Sequence, residues 1–180
     1  MPALALLPER RRLDALDAME ASAKVMIRPY RSEDRVRVRE LLGVDPVVEA
    51  AGGLRVQVAE EVGTGVLGAV VYRLPEGGGD AQLGAVVSVL PNRWDVFYGL
   101  VRATAVDALS AGHKTAVFTV RDRRLLDKIA RDFRVEPKPC GWEPSTTNVP
   151  GAPVEWLVRV DLVDALAQLD AVLARLGTSA

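Results

Sequence analysis

The 180-residue sequence contains one cysteine, Cys140, and one histidine, His113. A single cysteine cannot form a disulfide within the chain, and a metal site built from several Cys and His ligands is excluded. A Ser-His-Asp triad would have to use His113, which follows Gly112 at the start of an apolar segment. That position is more typical of a core or strand-edge histidine, so we expect neither a triad nor a bound metal.

Long hydrophobic runs are also missing, since no segment approaches the roughly 20 apolar residues of a membrane-spanning helix. Near the N-terminus a short apolar run is followed by the basic cluster Arg10–Arg12, which is the reverse of a secretory signal. With 49% hydrophobic and 26% charged residues, the composition is that of an ordinary soluble domain. We expect a cytoplasmic protein that contacts no membrane.

Neither sign of charge is in clear excess, because the formal net charge is −1. Only four of the 23 basic residues are lysine. The arginines Arg35, Arg37 and Arg39 spread around a predicted helix and form no stripe, which is typical of a solvated face. Nothing in this charge distribution favours a nucleic-acid partner.

Short apolar or alternating segments predict seven strands. The segments 66–74 and 83–90 are almost entirely apolar, which predicts that both faces of these strands are buried and that helices cover the sheet. The remaining predicted strands are residues 25–28, 54–62, 114–120, 154–160 and the proline-interrupted stretch 135–142.

Capping residues and helical spacing predict the helices. Ser32-Glu33-Asp34 precedes a helix that is predicted to turn Val36, Leu41 and Leu42 toward a core. Asp122 is the predicted N-cap of a helix over residues 123–133. The other helices are predicted after Asp45-Pro46 and over residues 95–110 and 161–177.

The order of elements predicts one mixed α/β domain over residues 25–160, with a helical extension at 1–24 and an amphipathic helix at 161–180. Leucines in the last helix follow a 4-3-4-3 spacing between an Asp161 N-cap and a Gly177 C-cap. This stripe either packs on the same domain or pairs with a second copy in a homodimer.

An antiparallel meander followed by strand-helix-strand-helix-strand resembles the fold of the GNAT acetyltransferase superfamily. Met26–Leu42 (MIRPYRSEDRVRVRELL) is similar to its first strand and helix, and Val89-Leu90-Pro91 resembles the V-x-P that ends its fourth strand. The pair Gly141-Trp142 resembles the family's closing glycine-aromatic pair. The resemblance implies a mostly antiparallel central sheet flanked by helices, with acetyl-CoA as cofactor and an amine-bearing small molecule or protein as acceptor.

The resemblance also implies that the segment Ala81–Gly112 holds the cofactor diphosphate on backbone N–H groups. The family's diphosphate motif falls on Trp94, Phe97 and Gly99, of which only Gly99 matches, so the motif is degenerate. The phenyl ring of Phe97 restricts close approach of a diphosphate, and Asp95 adds negative charge. The implied cofactor-binding residues are Val89, Leu90, Arg93, Trp94, Gly99 and Leu100.

Catalytic candidates are few. Ser88 is the polar residue of the fourth predicted strand, and Glu61, near the end of the second, can act as a base through water. Two functions therefore stand side by side. The first is an acetyl-CoA-dependent N-acetyltransferase, and the second is a catalytically inactive protein of the same fold with a binding or structural role.

Overall fold

A computed structural model describes residues 25–43, 45, 53–88, 93–142 and 152–177. Within these residues lie seven strands, which are β1 (Val25–Pro29), β2 (Leu54–Glu61), β3 (Gly65–Arg73), β4 (Ala81–Ser88), β5 (Thr115–Val120), β6 (Lys138–Trp142) and β7 (Pro153–Asp161). The α-helices are α1 (Arg35–Leu42), α2 (Trp94–Ser110), α3 (Arg123–Phe133) and α4 (Leu162–Arg175). A 3-10 turn at Ser32–Asp34 precedes α1.

The predicted mixed α/β architecture is confirmed. All strands join one sheet in the order β1-β2-β3-β4-β5-β7-β6, and α3 has the predicted bounds and the predicted cap, Asp122. None of the helices described here has the length and apolarity needed to cross a bilayer. The predicted extension at 1–24 and the predicted helix after Asp45 lie outside the described residues.

The pairing of β4 with β5 is the point at which the sheet opens. Every other strand pair is antiparallel, whereas β4 and β5 run parallel and pair only at Ala81–Ala116 and Gln82–Val117. On its other side β4 stays paired with β3 as far as Ser88. Beyond Gln82 the two parallel strands therefore diverge toward their C-terminal ends.

This divergence corrects one prediction. Burial on both faces is confirmed for β3, whose residues from Leu67 to Tyr72 are all buried, but it is wrong for β4. In β4 only Ala81 is buried, and Gly84 and Ala85 are exposed. The reason is that the outer part of β4 pairs only with β3 once β5 turns away, so its apolar residues line a cleft.

A second correction concerns α1. Val36 was predicted to face the core but is 71% exposed, whereas Val38 is fully buried. Residues 32–34 form a tighter 3-10 turn, so the α-helix begins at Arg35 and its phase differs from the expected one. Val38 then packs against Val58 and Ala69 on one face of the sheet.

The opposite face of the sheet is covered by α2 and α4. Leu100 of α2 packs with Leu67 and Val70 of β3, and α4 contributes Leu162 and Leu169 to the largest core cluster. The leucine stripe of the last helix thus packs on its own domain, which was one of the two predicted alternatives. The homodimer stays a prediction.

The predicted N-cap of α4 is present. The Asp161 Oδ1 atom accepts the N–H groups of Val163 and Asp164 at 2.9 and 3.0 Å. An ion pair between Arg102 and Asp170, at 2.6 Å, joins α2 to α4 on the surface. These contacts fix the position of α4 beneath the cleft between β4 and β5.

Candidate functional site

The gap between β4 and β5 widens into an apolar cleft of about 240 Å³. It lies between the sheet and the three helices α2, α3 and α4. Polar side chains stand at its mouth, where Arg121 and Asp122 follow the end of β5. The apolar side chains that line the cleft include Phe97 and Val101 of α2, Phe118 of β5, and Leu125, Ile129 and Phe133 of α3.

Three charged side chains meet where α2 begins, beside the mouth of the cleft. Arg93 donates to both carboxylate oxygens of Asp95, at 2.9 and 2.7 Å, and its Nη1 lies 3.5 Å from the Oε1 atom of Glu61. The Arg93 hydrogen bonds hold the pKa of Asp95 below its ordinary value, although burial opposes the shift. Asp95 is therefore ionised at neutral pH, and the three groups together carry a charge of −1.

This arrangement alters the ligand preference of the α2 N-terminus. The first N–H groups of a helix have no partner within the helix and normally attract anions. Here the first intrahelical bond near the start runs from Phe97 N–H to the Arg93 carbonyl, at 3.1 Å. The earlier N–H groups of Asp95 and Val96 already act on the Asp95 carboxylate and lower its pKa. An external anion must therefore compete with Asp95.

An aromatic cluster joins the start of α2 to α3. The Tyr98 side chain is fully buried, and its hydroxyl donates to the Asp132 Oδ2 atom at 2.6 Å. Burial raises the pKa of Tyr98, and the Asp132 carboxylate adds to that shift, so the phenol stays protonated. The Lys128 Nζ atom pairs with Asp132 at 3.1 Å and lies 4.9 Å from the centroid of the Trp94 ring. The cluster thus sets the spacing of two helices that line the cleft.

The cofactor-binding and catalytic residues implied by the sequence occupy different places. Val89 and Leu90 lie outside the described residues. Ser88 is half-buried at the C-terminal end of β4, beside the mouth of the cleft. Gly99 is half-buried, and a Cβ there would lie 3.4 Å from Ile27. Leu100 is fully buried in the core, so its side chain holds the sheet against α2.

Glu61, Arg93 and Trp94 are the three implied residues that the fold brings together at the start of α2. Sequence reasoning missed Asp132 and the inner wall of the cleft, which α4 helps to form. The sequence contains only a weak indication of Asp132, because a carboxylate one turn after a lysine such as Lys128 is common on the exposed face of an amphipathic helix.

The lone histidine and cysteine have no place in this site. His113 is buried, and its Nδ1 atom lies 3.0 Å from the Gly79 carbonyl oxygen, as expected for a structural residue. Cys140 is exposed on β6. Across the described ranges, no group of three or more His, Cys, Asp or Glu residues is placed to hold a metal ion.

Comparison with known proteins identifies the fold. No family model and no curated protein matches the chain. Solved structures do match. A GNAT family acetyltransferase from Staphylococcus aureus Mu50 is 11% identical with a TM-score of 0.55, over 77% of this chain and 99% of that one. A GNAT family acetyltransferase from Elizabethkingia anophelis, solved with acetyl-CoA bound, is 10% identical with a TM-score of 0.53, over 77% and 98%.

A third similar structure is the spermidine/spermine N-acetyltransferase from Vibrio cholerae, at 9% identity and a TM-score of 0.58, over 81% of this chain and 96% of that one. Identities this low establish the fold and nothing finer. The protein has the fold of the GNAT acetyltransferases, as its element order predicted.

Acetyl-CoA fits one part of the site better than the other. Its pantetheine arm is uncharged and slender, and the cleft offers apolar walls such as Phe97 and Phe118 with two strand edges beside them. Its diphosphate is an anion, and the start of α2 already holds the Asp95 carboxylate. The described residues therefore suit the arm and the thioester, while they offer the diphosphate little.

Proposed function

We propose that the protein is an N-acyltransferase that takes an acyl thioester of the CoA class, with acetyl-CoA as the reference donor, and passes the acyl group to an amine. The observation that carries this proposal is the apolar cleft at the divergence of β4 and β5. A slot between two strand edges, open at one end, is suited to a long neutral arm.

The strands supply polar contacts for such an arm. Beyond Gln82 and Val117 the facing edges of β4 and β5 no longer pair with each other. Their backbone N–H and C=O groups can then bond to the amides of a pantetheine arm much as to an inserted strand. Phe97 and Phe118 pack against its methylene groups from the helix and sheet sides.

The thioester, when bound, supplies an activated acyl group, and the chain supplies position. An amine held against the thioester carbonyl gains the proximity effect, worth about 7–11 kcal/mol of the barrier in well-oriented systems. Asp122, the one carboxylate among the described residues that line the cleft, is occupied as the α3 N-cap, where it accepts Leu125 N–H at 2.8 Å. Glu61 lies outside the cleft lining, beside Arg93 at the start of α2, and is the candidate for taking the amine proton through water.

The charge beside the cleft mouth supports an amine acceptor. Glu61, Arg93 and Asp95 carry −1 together, and their side chains are 13%, 27% and 24% exposed. A cluster of this negative charge attracts an ammonium ion and repels an anionic acceptor. Small-molecule and protein amines both meet this requirement.

Thermal unfolding with and without acetyl-CoA tests the proposal. Ligand at a hundred times its dissociation constant adds about 2.7 kcal/mol to the free energy of unfolding, which raises Tm by roughly 5–10 °C. Thr119→Trp places a bulky ring in the exposed part of the cleft and should abolish the shift. Val163→Trp, at a 64% exposed position on α4, is the matched control and should retain it.

The non-catalytic alternative is favoured by one observation, which is the Asp95 carboxylate on the α2 N-terminus. Release of free thiol from acetyl-CoA in the presence of an amine panel separates the two functions. Acyl transfer to any amine above the uncatalysed rate establishes the enzyme. Binding of the donor with no acyl transfer across the panel would instead indicate a binding role.

A further inference from the structure

Positive charge collects on one surface beside the cleft, where the C-terminal halves of α3 and α4 meet the start of α2. Lys128 and Arg131 come from α3, and Arg175 comes from the last turn of α4. Arg131 and Arg175 are exposed, and the Lys128 side chain is 27% exposed. These three residues form a cationic cluster that a ligand can reach from solvent.

The packing of α3 and α4 against α2 brings the members of the cationic cluster together. The Phe133 ring of α3 lies 6.3 Å from the Tyr98 ring of α2, and Leu173 of α4 is buried in the same core cluster. Arg131 lies two residues before Phe133, and Arg175 lies two residues after Leu173. The ends of both helices therefore carry their arginines toward the region of Tyr98.

Electrostatic effects at Tyr98 agree with this placement. The Lys128 Nζ atom lies 5.3 Å from the centroid of the Tyr98 ring. Burial and the Asp132 carboxylate raise the pKa of Tyr98. The positive charges of Arg131 and Arg175 oppose that shift, so guanidinium groups from two helices act on the same phenol.

Asp132 is the carboxylate that contacts the cationic cluster, through its 3.1 Å ion pair with Lys128. Although burial opposes the shift, hydrogen bonds from Tyr98 and Lys128 hold the pKa of Asp132 below its ordinary value. The other ion pairs that α3 and α4 make within the described residues involve neither Arg131 nor Arg175. Three cations and one ionised carboxylate leave a net charge of +2 at this surface.

A basic residue in the last turn of a helix complements the partial negative charge of the helix end. Arg131 and Arg175 do so in α3 and α4, and Arg39 does so in α1, on the opposite face of the sheet. That role needs no partner from another helix. It therefore does not account for the meeting of Arg131 and Arg175 with Lys128, which is suited to an anion that contacts several cations at once.

The cationic cluster stands next to the cleft. Leu125 and Ile129 line the cleft, and Lys128 lies between them along α3. The Lys128 Nζ atom is also 4.9 Å from the centroid of the Trp94 ring, at the first residue of α2. A thioester arm held in the cleft leaves the nucleotide at its other end on the surface, within the field of these charges.

We infer that the cationic cluster binds the 3′-phosphate of the donor's nucleotide. A phosphomonoester carries close to two negative charges at neutral pH, and the planar guanidinium groups of Arg131 and Arg175 match its oxygens. The inference rests on the proposed function, because it assumes a CoA thioester in the cleft. It gives the 3′-phosphate a site of its own, apart from the diphosphate, which must compete with Asp95 at the start of α2.

Calorimetric titration of the full chain with acetyl-CoA and with acetyl-3′-dephospho-CoA tests the inference, because the two ligands differ only in that phosphate. We expect the dephospho form to bind about tenfold weaker, with an affinity that depends less on salt. Affinities that agree within about twofold at low salt would overturn the inference and leave the proposed function standing. No binding of either ligand would overturn both.

Two variants locate the phosphate. Arg131→Gln and Arg175→Gln should each weaken acetyl-CoA binding about threefold and leave binding of the dephospho form within about twofold, since they remove the phosphate's partner alone. Arg39→Gln, at an exposed last-turn position of α1, is the matched control and should change neither affinity. Equal loss for both ligands, or no loss for acetyl-CoA, would contradict the placement of the phosphate.

Discussion

Replacing Asp34 with asparagine should destabilise the protein by about 3 kcal/mol, because it leaves a buried arginine without its main counter-charge. Arg28 is 7% exposed and donates to both Asp34 oxygens, at 2.7 and 2.9 Å. Asp34 also accepts the backbone N–H of Arg31 at 2.8 Å. The same carboxylate therefore neutralises the buried arginine and caps the turn that leads into α1.

The magnitude follows from what remains after the change. Removing one partner of a buried ion pair costs about 3–5 kcal/mol. The lower end applies here because the Arg28 Nε atom keeps its contact with Glu60 at 2.6 Å. A double variant, Arg28→Met with Asp34→Leu, should recover part of the loss, since it removes the unpaired charge as well.

The contribution of Asp34 to the free energy of unfolding should change with pH in a defined direction. Hydrogen bonding to Arg28 is the main reason that the pKa of Asp34 is lowered in the folded state. The contribution of Asp34 is therefore complete above its ordinary pKa of about 3.9 and is lost as the pH falls through the lowered folded-state value. The free energy of unfolding of the wild type should fall in acid, and that of Asp34→Asn should fall less.

Urea unfolding followed by tryptophan fluorescence measures these differences. Asp127→Asn is the control, because Asp127 pairs with Arg123 at 3.3 Å with both side chains more than 60% exposed, and such pairs contribute little. A loss below 1 kcal/mol for Asp34→Asn, or one equal to that of the control, would refute the reasoning.

Three further changes probe α2 and its contacts. Asp95→Asn should strengthen acetyl-CoA binding about tenfold in calorimetry, because it removes a carboxylate from the helix N-terminus; unchanged affinity would mean that Asp95 does not compete with the ligand. Tyr98→Phe should cost about 1–3 kcal/mol in urea unfolding, since it removes the 2.6 Å bond to Asp132; a cost below 0.5 kcal/mol would contradict that role. Gly68→Ala should lower Tm, because its Cβ would lie 2.7 Å from the Val87 carbonyl oxygen of β4 and 2.9 Å from the Val96 side chain of α2; an unchanged Tm would show that β4 and α2 can both shift freely.

Local signals in the sequence account for most of the fold. The bounds of α3 and the capping roles of Asp122 and Asp161 depend on side chains within three residues of the helix start, so the sequence was sufficient to predict them. The apolar run of β4 was less informative. A strand buried on both faces and a strand that lines an apolar cleft have the same composition, and only the pairing with β5 distinguishes them.

The elements beside the cleft were predictable from the sequence, whereas the contacts between them were less so. The end of β4 and the start of α2 were identified from their order along the chain. The contact of Arg93 with Glu61 was not, because these residues are far apart in sequence and meet through the sheet. The side of the cleft formed by α4 depends on how α4 packs beneath α2, and the leucine spacing of α4 was equally consistent with a homodimer.

Hydrogen–deuterium exchange with and without acetyl-CoA tests the central claim, that the divergence of β4 and β5 holds the donor. Binding there should protect the backbone N–H groups of residues 83–88 and 118–122 and leave β1 and β6 unchanged. Protection confined to other strands, or no protection at saturating acetyl-CoA, would contradict the claim.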